Sequence, residues 1–268
     1  MFKIIDAHVH TQFESHLSME MIKLSGVDFS YAGLKKEMQS SNVVAAISMG
    51  ISDDEKRLRR DVESPIINAV SENIIPVGGI NPYKPNLGLT ENALRSKKIK
   101  GLKIYLGYYL FYPYDKCYIP FYKLAEKYKI PVIFHTGDTY IEESWVKFAH
   151  PINIDEIAVK FRNVDFILAH FGNPWMIDAA ELLWKNKNVY ADLSGLIVGN
   201  VKEFKELRGI SIANLKQALD YCGFDKLLYG SDWPIVPMKS YIKFIKKIIP
   251  KEYQEKVFYS NAQKLFNL

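Results

Sequence analysis

The chain has 268 residues, 48% of them hydrophobic, enough to build a large core and too many for a disordered protein. Its 35 basic and 30 acidic residues give a formal charge of +5. They are spread along the chain with no long basic block, which argues against a dedicated nucleic-acid surface. Cys117 and Cys222 share no local motif, so a disulfide framework or zinc finger has no support.

Phe2 to Ile5 is a short apolar run with β-branched residues, the pattern of a buried strand, and it runs into Asp6-Ala7-His8-Val9-His10. Side chains alternate along a strand, so His8 and His10 share a face about 7 Å apart, with Asp6 deeper on it. Thr11 to Phe29 is polar and irregular, a loop with about one helical turn. Tyr31 to Ser40 reads as a short amphipathic helix and Asn42 to Ser48 as a buried strand. Asp53 to Asn73 has helical composition, and Asn73 to Ile80 is a third strand. A helix over Asn86 to Ser96 and a strand over Ile99 to Tyr105 follow. The aromatic-rich loop Gly107 to Tyr118 then leads to a helix over Pro120 to Tyr128.

The fifth and sixth strands, Ile130 to His135 and Val164 to His170, each end on a histidine, with a helix over Ile154 to Phe161 between them. A helix over Trp175 to Lys185 precedes the seventh strand, Val189 to Ser194. Leu215 to Tyr221 is helical and Lys226 to Asp232 is the eighth strand. Tyr241 to Ile249, Gln254 to Phe258 and Asn261 to Leu265 are amphipathic. Eight buried strands alternating with helices predict an α/β protein, a (β/α)8 TIM barrel forming a single domain over residues 1–268.

In that fold the active site lies at the C-terminal ends of the strands. His8, His10, Lys103, His135, His170 and Asp232 all fall there. A single strand-end histidine is more often a satisfied structural residue than a ligand. Four of the six histidines reaching one barrel end is a different matter; His16 and His150 are given no role. Three histidines and an aspartate at one mouth suit zinc, iron, cobalt or manganese. An open coordination position would hold a water with its pKa lowered towards ~7. Asp232 can both bind the metal and accept that water's proton, leaving His170 as acid, base or oxyanion donor. Lys103 points into the barrel, where an unpaired ammonium is costly. Its partner is a carboxylate, a substrate acid group, or the carbamate it becomes itself. The tyrosine-rich stretch from Tyr105 to Tyr114 lines the pocket or packs on the rim.

Several segments together resemble the amidohydrolase superfamily, in particular the amidohydrolase 2 branch. That branch includes aminocarboxymuconate-semialdehyde decarboxylase, resorcylate decarboxylases and several lactone hydrolases. The segments are Ile5-Asp6-Ala7-His8-Val9-His10, Gly101-Leu102-Lys103-Ile104, Val132-Ile133-Phe134-His135-Thr136-Gly137 and Ile167-Leu168-Ala169-His170-Phe171-Gly172. Asn188 to Gly195, Tyr229-Gly230-Ser231-Asp232-Trp233-Pro234 and Asn261 to Phe266 complete the match. The resemblance implies that His8, His10, His135 and Asp232 hold one metal, usually zinc, with His170 as the catalytic histidine beside it. In binuclear relatives a carboxylated lysine on strand four bridges two metals; the motifs here look like the mononuclear branch. TatD-type nucleases share the first motif but carry Glu on strand four, where this chain has Lys103.

The resulting expectation is a metal-dependent hydrolase of a small carbonyl compound: a lactone, ester or amide of a carboxylic acid. Non-oxidative decarboxylation of an aromatic or enoic acid at the same site is the alternative, and a non-catalytic binding barrel comes third. The partner is a small-molecule substrate, with neither nucleic acid nor membrane; a homodimer is the default assembly. With no signal-like start and no ~20-residue apolar span, a cytoplasmic protein is expected.

Overall fold

The computed structural model describes residues 2–12, 19–50, 73–199 and 212–268. Eight strands form one sheet in the order β1 to β8, every adjacent pair parallel. They are β1 (Ile4–Val9), β2 (Val43–Met49), β3 (Ile74–Gly79), β4 (Leu102–Ile104), β5 (Val132–His135), β6 (Phe166–Ala169), β7 (Val189–Asp192) and β8 (Leu227–Leu228). The sheet closes where β1 meets the chain beyond β8. Ala7 N donates to Tyr229 O and His10 N to Trp233 O, both at 2.8 Å, and Val9 bridges Trp233 in parallel. This is the (β/α)8 barrel read from the sequence.

The helices are α1 (Met19–Ser25), α2 (Tyr31–Ser41), α3 (Leu87–Arg95), α4 (Ile119–Tyr128), α5 (Val146–Ala149), α6 (Asp155–Lys160), α7 (Met176–Lys185), α8 (Ile212–Cys222), α9 (Met238–Ile248) and α10 (Asn261–Phe266). Local chemistry starts and stops them. The Ser30 hydroxyl accepts from Gly33 N and the Asn86 side chain from Leu89 N, each at 3.0 Å, while Asn42 and Lys129 end α2 and α4 in the left-handed conformation. The helical segment expected over 53–73 lies, but for its last residue, outside the described residues.

Alternation along the strands divides the core in two. One set, including Leu102, Ile104, Val132, Phe134, Phe166, Leu168, Val189 and Ala191, packs against the helices. The residues between them, including Ile47, Met49, Ile75, Val77, Ile133, Ile167 and Leu228, form a second cluster with Ala262, Leu265 and Phe266. α10 therefore belongs to the barrel's own filling. Both faces of each strand are spent on packing, and the polar residues collect where the strands end. Among the described residues no helix is long and apolar enough to cross a membrane.

Candidate metal centre

β1 delivers His8, His10 is the residue that follows the strand, and the turn after β8 delivers Asp232. One donor atom from each lies within 4.8 Å of the other two. His10 Nε2 is 3.0 Å and His8 Nε2 3.5 Å from Asp232 Oδ1. Backbone bonds lock this register. Asp6, buried below the histidines, accepts from His8 N (3.1 Å) and Ser231 N (2.9 Å), tying β1 to the segment that carries Asp232. Burial pushes the Asp6 carboxyl up to about 7 against the pull of those N–H groups. Asp232 itself sits at φ +63, a left-handed conformation costing a non-glycine residue of order 1–3 kcal/mol. Its N–H is held by His8 O at 2.8 Å.

Asp192, at the end of β7, organises the opposite side. Its Oδ2 accepts from His8 Nδ1 at 2.9 Å. Its Oδ1 takes His170 N (3.1 Å), Ser194 N (3.0 Å) and the Ser194 hydroxyl. These donors, with the neighbouring imidazoles, hold the Asp192 carboxyl well below the usual carboxylate range despite burial. Asp232 is held low in the same way, chiefly by its bond to His10 and by His8. Neither residue type nor spacing singles out Asp192 in a strand reading Val-Tyr-Ala-Asp-Leu-Ser-Gly; the barrel geometry does.

The bonds fix two tautomers. A carboxylate only accepts, so His8 carries its proton on Nδ1 and leaves a lone pair on Nε2. That lone pair faces the Asp232 oxygen and has no hydrogen-bond donor among the described residues. Two lone pairs buried against each other repel, and a cation between them makes both contacts attractive. The fit to a divalent ion rests on this contact. Ser194 spends its only proton on Asp192, so its oxygen, 2.8 Å from His170 Nδ1, accepts from that nitrogen. His170, itself at φ +63, therefore presents a bare Nε2. Burial lowers its pKa to about 4, so the ring is neutral near pH 7.

His135 stands one ring further away, outside the close His8–His10–Asp232 group. Its Nδ1 is 3.2 Å from His170 Nε2 and its Nε2 2.9 Å from Asp138 O. It faces two acceptors, and a neutral imidazole has one proton to give; burial, with His170 and Lys103 nearby, holds it well below its ordinary pKa. Tyr105 stacks on it (6.4 Å, 20°) and Tyr108 meets it edge-on at 4.8 Å. The aromatic stretch after β4 thus packs directly on His135. Lys103 lies inside the barrel, fully buried. His150 packs on Trp175, with Asp178 at 3.6 Å, apart from this cluster; His16 lies outside the described residues. Glycine allows the close approach of the remaining backbone. Gly195 (φ +66) has room for no side chain, since a Cβ would fall 2.6 Å from His170 Nδ1 and 3.1 Å from Asp232 Oδ2.

The amidohydrolase family model matches residues 89–268, the span that carries Lys103, His135, His170, Asp192 and Asp232. The chain belongs to the amidohydrolase family. No curated protein matches the sequence. Among solved structures, an uncharacterised TIM-barrel protein from Bordetella bronchiseptica superposes with a TM-score of 0.74 at 18% identity, covering 99% of this chain and 98% of that one. A probable 2-pyrone-4,6-dicarboxylic acid hydrolase from Acinetobacter baumannii gives 0.66 at 17% identity, with 99% and 100% covered. The manganese-bound 5-carboxyvanillate decarboxylase from Novosphingobium aromaticivorans gives 0.68 at 13%, with 100% and 97% covered. At these identities the likeness is one of fold, and this amidohydrolase shares its barrel with a hydrolase and a decarboxylase alike.

Proposed function

We propose that this amidohydrolase is a metal-dependent hydrolase of a small carbonyl compound, a lactone, ester or amide of a carboxylic acid. The observation that carries the reading is the lone pair of His8 Nε2, fixed by Asp192 and aimed at Asp232 beside His10. His8, His10 and Asp232 would hold one divalent ion, with His135 as fourth donor and zinc as its first candidate; the set of nitrogen and oxygen donors also accepts manganese, iron or cobalt. When bound, the ion lowers the pKa of a water and polarises the substrate carbonyl.

The chain's own residues do the rest. Asp232, kept ionised, takes the proton of the attacking water. His170 is neutral and held on Nδ1 by Ser194, so its Nε2 is free to accept. The proton that Asp232 takes is handed on to the departing alcohol or amine, and His170 Nε2 accepts the second proton of the water as the substrate's tetrahedral adduct collapses. Asp192 and Ser194 keep both histidines in the tautomers these roles require. Near-complete burial of His8 and Asp232 keeps bulk water away from the reacting groups.

That same seclusion favours a second reading, decarboxylation of an aromatic or enoic acid, the chemistry named for the manganese-bound structural relative. Turnover of a lactone, ester and carboxylic-acid panel in 18O-labelled water separates them. Label in the product carboxylate supports the hydrolase; release of CO2 without label sinks it.

A further inference from the structure

His8 and His10 are held unequally. His8 has the Asp192 carboxylate behind its Nδ1, at 2.9 Å. His10 meets Asp232 Oδ1 through Nε2 at 3.0 Å, and its Nδ1 is buried with no hydrogen-bond partner among the described residues. A carboxylate only accepts, so the bond to Asp232 puts the neutral ring's proton on Nε2. That nitrogen has to be bare if His10 is to hold an ion together with His8 and Asp232. Binding therefore needs the other tautomer: the Nε2 proton leaves to solvent and Nδ1 takes one up. A buried N–H with nothing to accept it is costly, and histidine ligands almost always give their second N–H to an oxygen.

The chain carries an acceptor two residues on. Where it leaves β1, two side chains tie it to the end of β2. The Thr11 hydroxyl is 2.6 Å from Ser48 Oγ, and Gln12 Nε2 donates to Met49 O at 2.7 Å. Val9 pairs with Ser48, so Gln12 is held back at the level where both strands end. Extended residues two apart lie about 7 Å from each other, a span a glutamine side chain can bridge. With its nitrogen given to Met49, the amide has its oxygen left, and Oε1 too is buried with no donor among the described residues. The other buried carboxylate and amide oxygens in that condition lie elsewhere: Asp6 Oδ2 deeper on β1, Asn173 Oδ1 after β6 and Asn188 Oδ1 before β7. In the present tautomer neither His10 Nδ1 nor Gln12 Oε1 has a proton for the other, which accounts for both standing unpaired. Moving one proton pairs them.

We propose that Gln12 is a positioning residue of the metal centre, its Oε1 accepting the Nδ1 proton of His10 as Asp192 does for His8. The amide is neutral, so it orients His10 without adding charge to a site that already holds two carboxylates. The proposal rests on reading His10 as a metal ligand.

The test is zinc affinity of the full chain, measured by competition with a chelator, for the wild type, Gln12→Met and Gln12→Glu. Met removes both the donor to Met49 O and the acceptor for His10; Glu gives up the donor and keeps an acceptor. Gln12→Met lowers zinc affinity about 10–100-fold, and Gln12→Glu stays at or above the wild type. In 15N NMR of the zinc-loaded protein the His10 proton sits on Nδ1, exchanging slowly with solvent in the wild type and fast in Gln12→Met. Unaltered zinc affinity in the Met variant overturns the proposal. So does a Glu variant as weak as the Met variant, which would assign the effect to the Met49 bond. If the Met variant does not fold, the Glu variant and the wild-type exchange rate decide, and an Nδ1 proton that exchanges as fast as that of a free imidazole overturns it. A wild type that binds no zinc overturns this proposal and the metal centre together; zinc bound with an affinity indifferent to residue 12 overturns this one alone.

Discussion

Asp192→Asn changes a single atom of a carboxylate that takes four donors, and the directions of those hydrogen bonds determine its effect. The amide oxygen replaces Oδ1 and still accepts from His170 N, Ser194 N and the Ser194 hydroxyl. The amide nitrogen replaces Oδ2 and donates to His8 Nδ1, 2.9 Å away. His8 must then accept on Nδ1 and carry its proton on Nε2, so the lone pair aimed at Asp232 disappears. All four contacts are kept but become neutral, so stability falls by only about 1 kcal/mol, the difference between a charge-assisted and a neutral hydrogen bond. Metal affinity falls more than the ~10–100-fold usual when a partner behind a ligand is lost, because a ligand is lost with it. Asp192→Ala instead leaves the His8, His170 and Ser194 donors buried without an acceptor, at roughly 3–6 kcal/mol after the neighbours adjust. Urea midpoints and metal analysis after dialysis read the two effects separately. An Asn variant that keeps its metal at wild-type affinity would refute the tautomer argument.

Three further outcomes rest on the same contacts. Burial holds His8, His135 and His170 below the ordinary imidazole range, so the unfolded chain binds more protons once the pH drops below about 6.5. The three histidines therefore cost stability on acidification, by up to roughly 1.3 kcal/mol each between about pH 7.5 and about pH 5.5, offset in part by Asp6, whose raised carboxyl takes up a proton in the folded chain over the same range; a urea midpoint that rises over this range contradicts it. Gly195→Ala puts a Cβ onto His170 and Asp232 at a left-handed position, costing roughly 1–3 kcal/mol and at least ~10-fold in turnover, checked by melting and steady-state kinetics. Ser194→Ala removes the acceptor from His170 Nδ1, so kcat falls about 10–100-fold with metal content unchanged; an unaltered kcat would show that His170 needs no such hold.

The barrel was legible because the strands announce themselves locally: apolar runs bounded by turns and ending on histidine or aspartate. Register does not announce itself. β4 keeps three residues and β8 two, where longer apolar runs were expected. At Gly230 the chain leaves the ladder to pass His8, whose Cβ would lie 2.8 Å from any side chain placed there. The short helix Val146–Ala149 and the 3-10 turn at Pro151–Ile154 are too brief for a periodic signal. In the site, histidines at strand ends were visible as a pattern. Asp192 and Ser194 were not, because their importance lies in a contact between β7 and β1, 184 residues apart in sequence. Lys103 was legible as a buried charge needing a partner, and the structure buries it completely with no hydrogen bond to its Nζ among the described residues.

The most direct test of the central claim is metal content per chain, measured on protein purified without added metal and repeated for His135→Ala and Asp232→Ala. The expected result is about one ion per chain, lost in both variants. No ion after reconstitution with zinc or manganese, or an ion retained when Asp232 is gone, would contradict it.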